Sequence, residues 1–316
     1  MDPVIAIVGP TASGKSELAQ HVALRLGGEI ISADSMQIYR GLNIGTAKLS
    51  PQEMQVTHHL IDIVDPGEAF SVQQYQSMAR TCISTLQSRQ SVPILCGGTG
   101  LYVQATLEDM KFPKGEYRSE YRLRLESLAE DKGGDYLWDI LKTIDPDSAQ
   151  VIHPHNTRRV IRALEMAKEG TSYAIQSKNI KTLDEVIPSL RFALKVDPAI
   201  LHERINARVD KMIEKGLVEE VKALLNSGFK DALTASEAIG YKEILSYLKG
   251  ECTLDQAIEQ IKTATRRYAK RQRSWFKRDK NIQWLDTEQL SLDEMTEAIV
   301  SSFCSARTQG NKEWEQ

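Results

Sequence analysis

The sequence predicts an α/β protein: a doubly wound parallel sheet with an inserted helical domain and a helical C-terminal part. Three observations carry this. Short continuous apolar runs end in glycine, as buried parallel strands do. Helical periodicity alternates with those runs. A long, densely charged middle stretch shows helical periodicity and few strand-like runs.

The first strand is VIAIVG (4–9), and the helix after it, KSELAQHVALRLGG, places Leu18, Val22 and Leu26 on one face before stopping at Gly27-Gly28. EIISADS (29–35) reads as a second strand, HLIDIVD (59–65) as a third and SVPILCGGTG (91–100) as a fourth, again opening into glycines. After the insertion, RFALKV (191–196) returns to the sheet. Three long helical stretches follow: AILHERINARVDKMIEKGLVEEVKALLNSGF, SEAIGYKEILSYLKG and LDQAIEQIKTATRRYAKRQRSWFKR. The expected plan is a first core segment over 1–114, the insertion over 115–181, core completion over 182–303 and a flexible tail over 304–316. Pro113-Lys114-Gly115 and the EGTSY stretch (169–173) are expected joints about which the insertion could close.

A chain of 316 residues exceeds one average domain, and 41% hydrophobic with 26% charged residues is ordinary for a soluble globular protein. Met1-Asp2-Pro3 runs straight into the first strand, so no leader is expected; no apolar run approaches the ~20 residues of a membrane helix, so a cytoplasmic protein without membrane contact is expected. Cys82, Cys96, Cys252 and Cys304 lie far apart, as reduced thiols do. His58-His59 and His153-Pro154-His155 have no third or fourth ligand at suitable spacing, which argues against zinc. The net charge of −3 speaks against nucleic acid, but that average hides a local basic run.

Gly9-Pro10-Thr11-Ala12-Ser13-Gly14-Lys15-Ser16 fits GxxxxGK[ST] between a strand and a helix, which makes the sheet P-loop NTPase-like. Its glycines turn backbone amides into an anion nest, and the helix N-terminus adds partial positive charge. Lys15 would reach phosphate oxygens and Ser16 would hold Mg²⁺. The loop fixes phosphate binding but not the reaction. Asp34, at the end of the second strand, should face this loop across the ligand crevice. It could act on Mg²⁺ indirectly, accept a proton from a nucleophile, or simply cap a helix. A P-loop kinase phosphorylating a small molecule with ATP would want a carboxylate there too.

The motifs GPTASGKS, ISADSMQIYRGLNIGTAK, HHLIDIVDP, GGTGLY and AIGYKE occur in that order, and together they closely resemble the bacterial tRNA dimethylallyltransferases, also called tRNA isopentenyltransferases. The resemblance covers roughly residues 4–300. It implies that the loop holds the diphosphate of dimethylallyl diphosphate, with Mg²⁺, and that the five-carbon chain passes to the exocyclic amine of the adenine just 3′ of the anticodon in tRNA. By the same resemblance Asp34 is the general base, Thr11 lies near the bridging oxygen of the donor and Arg208 binds diphosphate, with Arg204 a weaker candidate. A loop-stabilising hydroxyl for Thr11 and a solvated helix charge for Arg208 are the plain readings beside these. The family's tRNA contacts fall on Asp34, Ser35, Met36, Gln37, Thr99, Arg122 and the RRVIR stretch, Arg158, Arg159, Val160, Ile161 and Arg162. Gln37 and Thr99 could equally be turn or cap residues. The protein is expected to work as a monomer.

The run RRYAKRQRSWFKRDK (266–280) carries eight basic residues in fifteen. On a helix, Ile261, Thr265, Tyr268, Gln272 and Trp275 form one stripe that should dock on the core, leaving Arg267, Arg271, Arg278 and their basic neighbours outward. With Asp279 its only acid, that face fits a phosphate backbone. Tyr102, Tyr241 and Trp275 could stack on bases, though core packing is the commoner fate. Neither a kinase nor a non-catalytic RNA-binding protein accounts for the whole set: the first leaves the basic helix, GGTGLY and AIGYKE idle, the second leaves Asp34 and Thr11 without work.

Overall fold

The structure, a computed structural model, describes residues 2–112, 119–179, 183–225 and 235–313. It divides into two compact units, Met1–Leu107 with Val186–Gln316, and Glu108–Glu185. In the first unit the strands β1 (Val4–Val8), β2 (Gly28–Ser32), β3 (His58–His59), β4 (Val92–Gly97), β5 (Ser189–Lys195) and β6 (Ile282–Asp286) form one parallel sheet in the order β3-β2-β4-β1-β5-β6. Alternate side chains of the central strand β1 serve opposite faces. Ile5 and Ile7 pack with Leu18 and Val22 of α1 (Lys15–Leu26) and with Ile299 and Phe303 of the last helix. Val4, Ala6 and Val8 pack with Tyr75 and Ile83 of α2 (Val72–Ser88) and Tyr102 of α3 (Gly100–Leu107). Burial on both faces explains the unbroken apolar run; each such side chain is worth roughly 1.5–3 kcal/mol.

The Glu108–Glu185 unit contains α4 (Glu120–Lys132), α5 (Gly134–Ile144), α6 (Pro146–Val151), α7 (Thr157–Lys168) and α8 (Tyr173–Asn179). Ser119, Asp145 and Asn156 cap three of these helices with side-chain acceptors, and Leu125, Leu137, Leu141, Val160 and Leu164 fill their common core. The unit closes on itself through a Glu108–Glu185 bridge and a 2.9 Å bond from the Asp109 N–H to the Asp184 carbonyl, so it begins and ends slightly outside the expected 115–181. EGTSY therefore lies within this unit rather than at its edge: Gly170 is left-handed and Thr171 Oγ1 caps the Met166 carbonyl at 3.0 Å, closing α7. The other expected joint, Pro113-Lys114-Gly115, lies outside the described residues.

The C-terminal part of the first unit is helical as expected, with α9 (Pro198–Glu214), α10 (Leu217–Leu225), α11 (Tyr241–Leu248), α12 (Leu254–Phe276) and α13 (Leu292–Glu313). What reads as one long helix is cut between α9 and α10 at Gly216, whose φ of 95° a helix cannot contain. The expected third strand shrinks to two residues because Leu60 and Asp62 take left-handed φ values of 59° and 54°. Helix α13 continues past residue 304, where a tail was expected. Met295, Ile299 and Phe303 anchor it on α1, and Arg307 pairs with Asp2 at 3.2 Å, so each further residue adds a helical bond to an established nucleus. Among the described residues no helix is long and apolar enough to cross a membrane.

Strand β6 joins the sheet through a turn that buries a charge. Arg191 on β5 is 3% exposed, and its guanidinium donates to Asp279 Oδ2 at 2.7 Å and to Ser189 Oγ at 3.0 Å. Removing the carboxylate takes a close, charged hydrogen-bond partner from a buried cation. Asp279→Ala is accordingly expected to lose about 3–5 kcal/mol in urea unfolding, much of it recovered when Arg191 is also replaced by methionine. A loss below about 1 kcal/mol would mean that other groups compensate the arginine.

Candidate active site

The phosphate loop joins β1 to α1, and its backbone takes the conformation its glycines permit. Gly9 and Gly14 have φ of 148° and 95°, and Ala12, at 62°, shares the left-handed region despite its side chain. Gly14 caps α1 without a side-chain acceptor, so the first amides of that helix remain available to an anion. Ser13 Oγ is buried within the loop without a hydrogen-bond partner.

An open cleft of about 1020 Å³ lies beside the loop. Thr11, Lys15, Ser16, Asp34, Ser35, Met36, Gln37 and Arg208 line it, bringing together residues from three separate stretches of sequence. Asp34 reaches the loop although β4 lies between β1 and β2. Gly97 makes this possible: a Cβ there would sit 2.1 Å from the Ala33 carbonyl oxygen, so only glycine lets the two strand ends approach. Asp34 Oδ1 accepts the Met36 N–H at 2.9 Å and the Gln37 N–H at 3.4 Å, which makes it the cap of the DSMQ turn as well as a free carboxylate edge.

Two cations face this one carboxylate. Burial lowers the Lys15 pKa, Cys96 opposes that, Arg208 lowers it further and Asp34 raises it. Burial likewise lowers Arg208, with Asp34 opposing. The Lys15 ammonium also donates to the Pro10 carbonyl at 3.3 Å. Burial pushes the Cys96 thiol up to about 11, so it is no nucleophile at neutral pH. The result is a partly dehydrated site with surplus positive charge, suited to a diphosphate. Ser16 and Asp34 offer hard oxygen donors on the same cleft, the donor type that suits a magnesium ion keeping several waters.

Helix α12 holds the loop from behind. Gln272, 5% exposed, accepts the Thr11 N–H and donates to the Gly98 carbonyl, both at 2.9 Å. It lay on the stripe expected to dock, and a lone amide on such a stripe is a signal that the stripe contains a hydrogen-bonded clamp. Tyr268, pushed up to about 12 by burial and then by Asp34, stands beside Thr99 and Gln272. Thr99 in turn accepts the Ser35 N–H at 3.0 Å, so its observed work is to hold the DSMQ turn. Arg267, Lys270, Lys277 and Arg278 are exposed on the outward face, and Arg271, also exposed, lines the rim of the cleft.

The other sequence candidates separate cleanly. Arg204 is exposed and does not line the cleft, whereas Arg208 does. Tyr241 is fully buried, Tyr102 stacks on Tyr75 with centroids 3.8 Å apart, and the half-buried Trp275 packs over the Gly100 backbone, so each ring packs against the core. In RRVIR, Val160 and Ile161 are 0% and 3% exposed inside the core of their unit, which withdraws their side chains from any RNA; Arg158 and Arg159 are exposed. Arg122 donates at 2.9 Å to both Glu126 and Glu165, and Arg162 lies 3.7 Å from Glu165.

Comparison with known proteins finds relatives over nearly the whole chain. A family model described as IPP transferase matches residues 37–279. A tRNA dimethylallyltransferase of Carboxydothermus hydrogenoformans is 47% identical over 302 residues, spanning 95% of this chain and 97% of that protein. The crystal structure of the full-length tRNA isopentenylpyrophosphate transferase from Bacillus halodurans superposes with a TM-score of 0.74 at 41% identity, covering 100% of both chains. A eukaryotic dimethylallyltransferase acting on tRNA, also known from crystal structures, gives a TM-score of 0.73 at 31% identity over 90% of this chain and 74% of its own.

Proposed function

The chain belongs to the IPP transferase family, and from that premise we propose that it transfers the dimethylallyl group of dimethylallyl diphosphate to the exocyclic amine of the adenine 3′-adjacent to the tRNA anticodon. The observation that carries the reading is the single cleft in which Asp34 stands against Lys15 and Arg208 at a phosphate loop. The amine lone pair forms the new N–C bond while the C–O bond to diphosphate breaks, and the electron pair leaves with diphosphate. An adenine amine is a weak nucleophile, so Asp34 accepts its proton as the bond forms. Lys15, Arg208 and the loop amides meet the charge growing on the leaving group, and Thr11 lies near the bridging oxygen. Ser16, with Asp34 acting through water, would hold Mg²⁺, which when bound neutralises further diphosphate charge. A kinase would use the same loop, but family membership sets that reading aside.

The acceptor amine of a stacked base is out of reach, so the nucleotide is turned out of the anticodon loop into the cleft, where Ser35, Met36 and Gln37 meet it. Arg122, Arg158, Arg159 and Arg162 of the insertion and the outward face of α12 supply phosphate contacts. The enzyme is read as a monomer that meets its tRNA in the cytoplasm.

The test is unmodified tRNA, Mg²⁺ and radiolabelled dimethylallyl diphosphate: label on one adenine beside the anticodon is expected, and none would defeat the reading. Reversing the charge of Arg267, Arg271 and Arg278 is expected to weaken tRNA binding and to lower the slope of log affinity against log salt by about 2–3, since each lost phosphate contact removes roughly one unit. An unchanged slope would make that face an ordinary solvated surface.

A further inference from the structure

The motifs GLNIGTAK and AIGYKE mark the family but have no part in the chemistry above. The structure joins them. Residues 41–48 carry no helix or strand, and Gly41 and Ala47, both left-handed at φ 78° and 48°, bracket them. Their amides therefore need acceptors from elsewhere. Glu220 on α10 supplies them: its carboxylate accepts the N–H of Asn43 at 3.1 Å, of Ile44 at 2.8 Å and of Gly45 at 3.3 Å. The Tyr241 hydroxyl donates to the same carboxylate at 2.6 Å and stands beside the amides of Gly45 and Thr46. The fit is tight, since a Cβ on Gly45 would lie 2.4 Å from the Tyr241 ring.

The clamped segment is a wall of the cleft, and it leads to the acceptor side. Asn43, Ile44, Gly45 and Thr46 line the cleft, while neither Glu220 nor Tyr241 does. The Thr46 carbonyl accepts the Gln37 carboxamide at 3.3 Å, and Ser32 Oγ donates to the other end of that carboxamide at 3.1 Å. Gln37 thus has one orientation, set from two sides. Nothing in this chain of bonds touches the phosphate loop.

We infer that Glu220 and Tyr241 are positioning residues for the tRNA: they clamp the 43–46 backbone into the cleft wall and, through the Thr46 carbonyl, aim Gln37 at the acceptor nucleotide. The inference rests on the tRNA reaction proposed above. It accounts for a glutamate rather than a glutamine at this position. The groups around Glu220 are all donors, so the amide nitrogen of a glutamine would face further N–H groups.

Steady-state kinetics and tRNA filter binding test it together. Glu220→Gln is expected to raise both KM and Kd for tRNA roughly tenfold, and Tyr241→Phe, which keeps the ring, about threefold. KM for dimethylallyl diphosphate and the melting temperature of Tyr241→Phe stay near wild type. Gln37→Ala added to Glu220→Gln costs less than Gln37→Ala alone, because the clamp acts through that side chain. Unchanged tRNA affinity in both variants overturns the inference, as does an equal loss of donor affinity, which marks a merely structural role. If wild-type protein leaves the tRNA unlabelled, the reaction fails instead, and tRNA binding still decides the clamp.

Discussion

Asp34→Asn is expected to lower single-turnover prenylation by about 10²–10⁴-fold while donor and tRNA binding stay close to wild type. The carboxylate has two occupations, and asparagine separates them. Oδ1 caps the turn by accepting the Met36 N–H at 2.9 Å, and an amide oxygen of the same shape can do this too. What asparagine cannot do is take the proton of the adenine amine. Alanine loses both, so Asp34→Ala should add a tRNA-binding defect, because Ser35, Met36 and Gln37 sit on the released turn. If asparagine turns over near the wild-type rate and alanine does not, Asp34 is a cap and another group is the base. A loss in both, with binding preserved only in asparagine, assigns the proton to Asp34.

The contrast between Asp34 and Glu220 shows where reading the sequence stops. Asp34 was legible because its position follows from two local facts, the strand before it and the convergence of strand ends in an open α/β sheet. The phosphate loop was legible for the same reason, since eight consecutive residues contain their own geometry. Glu220 lies among charged residues on a helix, and in sequence it looks like any solvated glutamate. Its partners, Asn43 to Gly45 and Tyr241, come from distant segments, and nothing in the local pattern announces a carboxylate inside a ring of amides. Gln272 is intermediate: its stripe predicted docking, but not which backbone groups it would bond. Strand β6 escaped for a related reason. Five residues with only Ile282 and Leu285 buried form a strand because β5 offers a free edge, not because their own pattern demands one.

Lys15→Met should lower kcat/KM by about 10²–10³-fold, the usual effect of removing one group that meets developing negative charge, without a loss of thermal stability. The second half follows from the electrostatics. Lys15 stands where burial and Arg208 both disfavour its charge, with Asp34 and Cys96 opposing. Two partly dehydrated cations confronting one carboxylate store unfavourable energy that a diphosphate relieves. Replacing the ammonium with a thioether of similar length removes that strain, so the melting temperature should hold or rise as activity falls. Among the described residues the ammonium's only hydrogen bond is the long one to the Pro10 carbonyl, at 3.3 Å. Arg208→Ala should lose a comparable factor, and the double variant less than the product of the two, because both cations act on one leaving group. Paired measurements of kinetics and thermal unfolding decide the matter. A melting temperature lowered by several degrees, with activity lost in step, would show that Lys15 serves the loop's own fold. Activity lost at undiminished stability means that its charge is held in readiness for the diphosphate.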